Sequence, residues 1–264
     1  MRQFDFGKNW SDFSSRALTA QRVSQARADF LRLMKNAMAE LNCRSFLDIG
    51  FGQGLSLLAA AAEGARTVGC DINPMCGEVL ARNRVYFPEP DIQVAIGSIL
   101  DEATLVRLRG LSPEQMGYDL VHSWGVLHHT GKMWTAVDYA CNLVAPGGIL
   151  ILALYNKHWS SPLWSLIKRG YCAAPTFLKR LMIWVFYPVI LLAKALVTGR
   201  NPFAMERGMD FYYDVVDWVG GYPYEYATPE EVARHLSARG FALRWQARAT
   251  VPTGCNQQVF VRST

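Results

Sequence analysis

Three alternate glycines behind an acid, Asp48-Ile49-Gly50-Phe51-Gly52-Gln53-Gly54, end the apolar run that starts at Phe46 and lead into an alanine-rich stretch. Glycines permit positive φ and let the backbone approach a ligand that any Cβ would exclude, so a nucleotide-type cofactor is the chemistry this loop suits. Further on, Thr67-Val68-Gly69-Cys70 ends in Asp71, about twenty residues after the glycines, where a carboxylate can hold a pair of ribose hydroxyls. The spacing separates two cofactor classes. A dinucleotide fingerprint reads G-x-G-x-x-G, whereas this loop reads D-x-G-x-G-x-G, with an acid where a pyrophosphate would be repelled. Taken alone, the loop also fits a plain strand-to-helix turn with no ligand.

Residue types suited to proton transfer lie downstream. His128 and His129 stand together after an apolar run, and imidazole can take a proton from an acceptor near neutral pH. Adjacent residues on a strand-to-helix connection point in different directions, so at most one of the pair faces a substrate. No acid at helical spacing accompanies them, and no metal site is expected. Tyr155 and Asp214 are the other candidate catalytic residues. Between Gly208 and Glu225 aromatics, acids and glycines crowd together, and Tyr212, Tyr213, Asp217, Trp218, Tyr222 and Tyr224 are the candidate acceptor-binding residues. Aromatic faces stack on a ring or a sugar, carboxylates accept from hydroxyls or amines, and Gly220-Gly221 is a candidate hinge. Such a cover narrows access, which favours a small organic acceptor over a macromolecule.

These residues need elements to hold them. A chain of 264 residues with 51% hydrophobic content suits one domain carrying an insertion. Helical spacing runs from Ala17 to Leu41, through Val23, Ala26, Phe30, Leu33, Met34 and Ala37. Strand-like runs at 45–49, 67–70, 92–96, 120–123 and 148–154 then alternate with helical stretches, the pattern of βαβ units on a parallel sheet. Right-handed crossovers place ligands at the carboxyl ends of such strands, where the glycine loop, Asp71, Ser98, Ser123 to Thr130 and Tyr155 all fall. Thr228-Pro229-Glu230-Glu231 reads as the start of a last helix. The runs 241–248 and 256–262 read as an antiparallel strand pair around Pro252-Thr253-Gly254.

The ordered set resembles the class I S-adenosylmethionine-dependent methyltransferases, in the small-molecule, ubiquinone methylase-like branch. The residues that carry the resemblance are the loop from Asp48 to Gly54, Asp71, the segment Tyr118 to Thr130 and Leu143-Val144-Ala145-Pro146-Gly147-Gly148-Ile149-Leu150. It implies an α/β, Rossmann-like seven-stranded sheet with one antiparallel strand, helices on both faces and a helical or irregular insertion after the fifth strand. The parts would be an N-terminal helical cap over 1–43, a cofactor-binding core over 44–155, an inserted substrate lid over 156–226 and a closing helix and strand pair over 227–264. The cofactor would be S-adenosyl-L-methionine, held by Trp10, Asp48, Gly50, Phe51, Gly52, Gly54, Asp71, Ile72, Asn73, Ser98, Ile99, Ser123, Trp124 and Gly125. At position 98 the family usually offers the adenine an acid or polar residue, and here a serine stands there. The activity implied is methyl transfer to O, N or C of a small metabolite, hydrophobic or sugar-containing. A nicotinamide dehydrogenase, a tRNA-modifying enzyme and a non-catalytic partner of the same fold are the competing classes.

Composition narrows the setting. A net charge of +5 without a lysine and arginine stripe gives no strong nucleic-acid signal. Six scattered cysteines indicate neither zinc nor disulfides, and the first ten residues lack the apolar core of a signal peptide, so the cytoplasm is the expected location. The aromatic segment Phe4 to Phe13 either folds over the cofactor or staples the leading helix to the sheet. The apolar run 181–193 is too short to span a bilayer and is interrupted by Pro188. It suits a buried lid helix, a dimer contact, or an interfacial helix on a membrane.

Overall fold

Apolar runs that alternate with amphipathic stretches fold into five parallel strands and their connecting helices in the computed structural model, which describes residues 3–37, 43–87, 91–199, 201–203 and 206–264. Two helices lead, α1 (Phe6–Arg16) and α2 (Ala20–Ala37). Then come β1 (Ser45–Ile49), α3 (Leu55–Ala62), β2 (Arg66–Asp71), α4 (Pro74–Asn83), β3 (Ile92–Ile96), α5 (Glu102–Leu111), β4 (Tyr118–Trp124), α6 (Met133–Cys141) and β5 (Val144–Tyr155). Three helices follow, α7 (Ser161–Ala173), α8 (Thr176–Thr198) and α9 (Phe211–Gly220). The chain closes with α10 (Pro229–Ser237), β6 (Phe241–Ala247) and β7 (Cys255–Arg262).

The sheet has seven strands in the order β3-β2-β1-β4-β5-β7-β6, and β7 runs antiparallel to both of its neighbours. Strand order reverses between β1 and β4, so the crevice for a ligand opens beyond the carboxyl ends of those two strands. Strands β1 and β2 are buried almost throughout, as parallel strands covered on both faces must be. One apolar layer, containing Leu47, Val68, Val121 and Leu152, packs under α5, α6 and α10, and the opposite layer, containing Phe46, Leu120, Ile151 and Val259, packs under α2 and α3. Each large side chain buried this way stabilises the fold by about 1.5–3 kcal/mol. Helix α10 starts as its sequence indicates. The Thr228 hydroxyl accepts from the Glu231 amide, the Glu231 carboxylate accepts from the Thr228 amide, and Pro229 occupies the first turn.

Two elements differ from the sequence expectation, and one is described only in part. The segment from Phe4 to Phe13 is largely helical, because the Asp5 carboxylate accepts from the Lys8 amide and caps α1. Helix α2 is described from Ala20 to Ala37, and the expected last turn at 38–41 lies outside the described residues. The largest correction is α8, which runs unbroken for 23 residues through Pro188 and is long and apolar enough, by length and composition, to cross a membrane. Pro188 lies on the exposed side of that helix, where its ring displaces no buried neighbour.

Candidate functional site

The turn from β1 to α3 holds Gly50, Gly52 and Gly54 at φ of +75°, +53° and +77°, so all three glycines occupy left-handed backbone. A Cβ on Gly52 would lie 2.9 Å from the indole nitrogen of Trp10, so α1 is seated directly on the turn. Asp71, at the end of β2, stitches two loops together. One carboxylate oxygen accepts from the Gly52 amide at 3.0 Å and the other from the Asn73 amide at 2.9 Å. The Cys76 thiol is a third donor to this carboxylate, which leaves one acceptor direction for a hydroxyl. Burial raises the Asp71 pKa above the ordinary carboxylate value, and the two amides oppose that rise. Asn73 in turn donates to Asp5 at 2.8 Å, the second contact between α1 and this corner.

Asp48 has a different partner from the one its motif position suggests. It is 3% exposed and sits opposite His122 in the β1–β4 register, with the carboxylate 2.7 Å from Nδ1 of that imidazole. The Nε2 atom of His122 is buried without a protein partner, and the ring lies against Phe30, Phe46 and Trp124. Asp48→Ala strands the remaining imidazole nitrogen in an apolar layer. The expected loss is about 1–3 kcal/mol of folding stability, read from the urea midpoint. Phe51 and Ile99 turn their side chains into the apolar layers, so only their backbone can line a cofactor. Ile72 is exposed beside Asp71, the Ser98 hydroxyl accepts from the Leu100 amide within its own turn, and Ser123 donates to the Ile49 carbonyl at 3.0 Å. Trp124 and Gly125 continue from β4, with the Arg207 guanidinium 4.2 Å above the Trp124 ring and Gly125 at φ +75°.

At the carboxyl ends of β4 and β5 a second cluster forms. Nδ1 of His128 accepts from the Tyr155 amide at 3.2 Å, so the proton of the neutral ring sits on Nε2, which is buried without a protein partner. Burial, with His129 and Lys168 nearby, holds this histidine well below its usual pKa. With Nδ1 occupied by the amide and the proton on Nε2, the ring is a hydrogen-bond donor and not the base expected of it. His129 is turned the other way. Its Nδ1 donates to the Pro223 carbonyl at 2.6 Å, which leaves Nε2 as the bare acceptor, and burial lowers its pKa to about 3. The Tyr155 ring packs 4.0 Å from His128 and 5.0 Å from Tyr224, and burial keeps its phenol protonated well above the ordinary range.

Lys168 completes the cluster and was not singled out from the sequence. It is 1% exposed and its Nζ donates to the Trp218 carbonyl. The ammonium lies 4.8 Å from the Tyr224 ring centre, 5.3 Å from Tyr155 and 5.5 Å from Trp218. Desolvation lowers its pKa to about 7, against the pull of Asp217. A signal was available: Ser161, Lys168, Tyr171 and Cys172 form the buried stripe of α7, and a lysine on an inward stripe is rarely idle.

The acceptor candidates on and after α9 divide. Trp218 and Tyr224 line the cation, and Asp217 adds its field. Asp217 also accepts from the Asn9 amide at 2.7 Å, and desolvation keeps its pKa well above the carboxylate range. Tyr213 is buried against Phe13 of α1, 5.4 Å between ring centres, and the Tyr222 carbonyl accepts from the Phe4 amide. Tyr212 points outward, 49% exposed, and Asp214 faces α8, where Lys194 approaches it at 3.3 Å, so neither joins the histidine cluster. Asn9 is a further residue the sequence did not single out. Through it α1 touches α9 while Trp10, on the next residue, touches the glycine turn.

A family model described as a methyltransferase domain matches residues 10–244. A ubiquinone biosynthesis O-methyltransferase of Bordetella avium is 26% identical over 212 residues, covering 76% of this chain and 79% of that protein. Its counterpart in Alkalilimnicola ehrlichii is 25% identical over 162 residues, 61% of each chain. With several such relatives the chain spans only about three fifths of their length. Among solved structures, magnesium protoporphyrin IX methyltransferase from Synechocystis PCC 6803, with bound SAH, shares the fold at a TM-score of 0.52 and 16% identity, covering 99% of this chain and 89% of that one.

Proposed function

Because the chain belongs to the methyltransferase-domain family, the class I S-adenosylmethionine-dependent enzymes, we propose that it moves the cofactor's methyl group to a hydroxyl oxygen of a small aromatic acceptor. The observation that carries this reading is the Lys168 ammonium, caged by Tyr155, Trp218 and Tyr224 beside the two histidines at the ends of β4 and β5. The glycine turn and Asp71 suit the cofactor: the turn presents backbone where a Cβ would intrude, and the carboxylate ends β2 with acceptor capacity to spare. When bound, S-adenosylmethionine supplies an electrophilic methyl on a good leaving group, so placement and exclusion of water are most of what the protein must add.

The cluster has the groups for that task. A desolvated amine with pKa about 7 can take the proton of an acidic hydroxyl or, as ammonium, hold the resulting oxyanion. Nε2–H of His128 offers a donor, and Nε2 of His129 an acceptor, to a neighbouring hydroxyl of the same ring. The aromatic faces stack on the acceptor and keep water out. Names of relatives that act as O-methyltransferases support an oxygen acceptor.

The deciding experiment incubates the protein with methyl-labelled S-adenosylmethionine and a panel of catechols, phenols, primary amines and unmodified tRNA. Label in O-methyl catechol or phenol is the expected result. Label confined to amines or tRNA, or cofactor binding with no transfer, overturns the proposal. The seat of α1 on the glycine turn gives a companion expectation. Trp10→Ala weakens S-adenosylhomocysteine binding about tenfold, as loss of one buried aromatic contact would. Unchanged affinity in calorimetry would mean that α1 only staples the fold.

A further inference from the structure

We infer that the outer face of α8 is a docking surface for a bilayer rich in anionic lipid, on which the helix lies flat. The inner side of α8 repeats at intervals of three and four residues through Met182, Ile183, Phe186, Tyr187, Ile190 and Leu191, and it packs on α7 and α9. Tyr187 meets Phe211 at 5.1 Å between ring centres, and Trp164 of α7 meets Phe186 at 5.7 Å. The opposite side, with the exposed Pro188 between Trp184 and Val189, is equally apolar. Phe177, Leu181, Trp184, Val189, Leu192 and Leu196 are all half exposed or more, Trp184 to 75%. A helix apolar on both faces belongs inside a core or against another apolar phase, and the described residues provide a core on one face only.

The charge around it identifies the phase. From Asn156 to Met205 the sequence carries seven lysines and arginines and no aspartate or glutamate. Lys168 is buried in the acceptor cluster, Lys157 pairs with Glu231 and Lys194 with Asp214, and Arg200 lies outside the described residues. The remaining three, Arg169, Lys179 and Arg180, gather where α7 gives way to α8, with Arg169 and Arg180 exposed and Lys179 over the Tyr171 ring. An apolar face bordered by cations and free of acids complements anionic headgroups over acyl chains. The exposed Trp159, at 85%, and Leu163 and Leu166 of α7 extend the apolar surface next to the same basic corner. Crossing the bilayer is excluded by the inner face, since a spanning α8 would have to abandon Phe211, Trp164 and the Lys194–Asp214 pair.

This inference does not rest on the methyl-transfer reading, and its test measures binding alone. The full chain is floated with vesicles of phosphatidylcholine and phosphatidylglycerol at 3:1, and with pure phosphatidylcholine. The expected result is partitioning at least tenfold stronger onto the anionic vesicles, with Trp fluorescence shifted to the blue and quenched by brominated acyl chains. Trp184→Glu/Leu192→Glu should lose at least tenfold in partitioning while keeping its melting temperature and its affinity for S-adenosylhomocysteine. Arg169→Gln/Arg180→Gln should lose the preference for the anionic lipid. Failure of the wild-type chain to associate with anionic vesicles overturns the inference. So does a dimer in light scattering that Trp184→Glu/Leu192→Glu turns into monomer, because the face would then be covered by a second copy.

Discussion

Gly52→Val lowers the affinity for S-adenosylhomocysteine by at least about 100-fold, since two independent costs fall on one residue. Position 52 holds φ of +53°, where a β-branched side chain costs on the order of 1–2 kcal/mol or more. The new side chain also drives into the Trp10 indole, which stands 2.9 Å from the Cβ position, so α1 must lift from the turn. Gly64→Ala separates these terms. Gly64 has φ of +88° with nothing within 4 Å of its Cβ position, so the substitution should cost about 1 kcal/mol of folding stability and leave ligand affinity alone. Calorimetric titration and thermal melting of the two variants check both statements. Equal affinity in Gly52→Val and the wild-type protein would show that the turn is not the cofactor's cradle.

Lys168→Met reduces kcat by about 100-fold or more, in the range a positioned proton-transfer group contributes, with affinity for S-adenosylhomocysteine unchanged within about threefold. Its effect on folding has the opposite sign. Methionine fills similar volume without a charge, so the variant should be more stable than wild type below pH 7, where the buried lysine is an ammonium. The lysine has a pKa of about 7 in the folded protein and 10.5 when unfolded, so from pH 7 to 10.5 the unfolded chain binds more protons. Wild-type stability therefore rises with pH across that window relative to the variant, and the stability advantage of Lys168→Met shrinks. Urea midpoints at pH 6, 8 and 9.5 measure the convergence. A variant stabilised in this way that keeps full kcat would reduce Lys168 to a packing element.

What sequence could reveal here was local. The glycine turn, Asp71 and the cap of α10 are each set by residues within a few positions of one another, and the alternation of strand and helix follows from side-chain period. The seven strands and the single antiparallel one came from the family resemblance and hold in the structure, whereas the strand order is seen only there. Long-range partners are invisible to such a reading. Nothing in the motif of Asp48 announces His122, 74 residues away, which strand register brings opposite it. The paired histidines look equivalent in sequence, and only the Tyr155 amide and the Pro223 carbonyl fix their protons on different nitrogens. Lys168 passes for a surface residue because lysines on helices usually are. Pro188 passes for a break because proline usually interrupts a helix, yet α8 continues through it.

Helix α1 has a consequence for the order of events in a catalytic cycle. Asp5 and Trp10 bind it to the corner formed by Asn73 and Gly52, while Asn9 binds it to Asp217 above the lysine cluster. One short rigid rod thus rests on the walls of both compartments. Whatever free energy one occupant gains by settling that rod is available to the other, and linkage requires the two gains to be equal. Donor and acceptor affinities should accordingly rise together by one common factor, and the departure of either product should loosen the grip on the other.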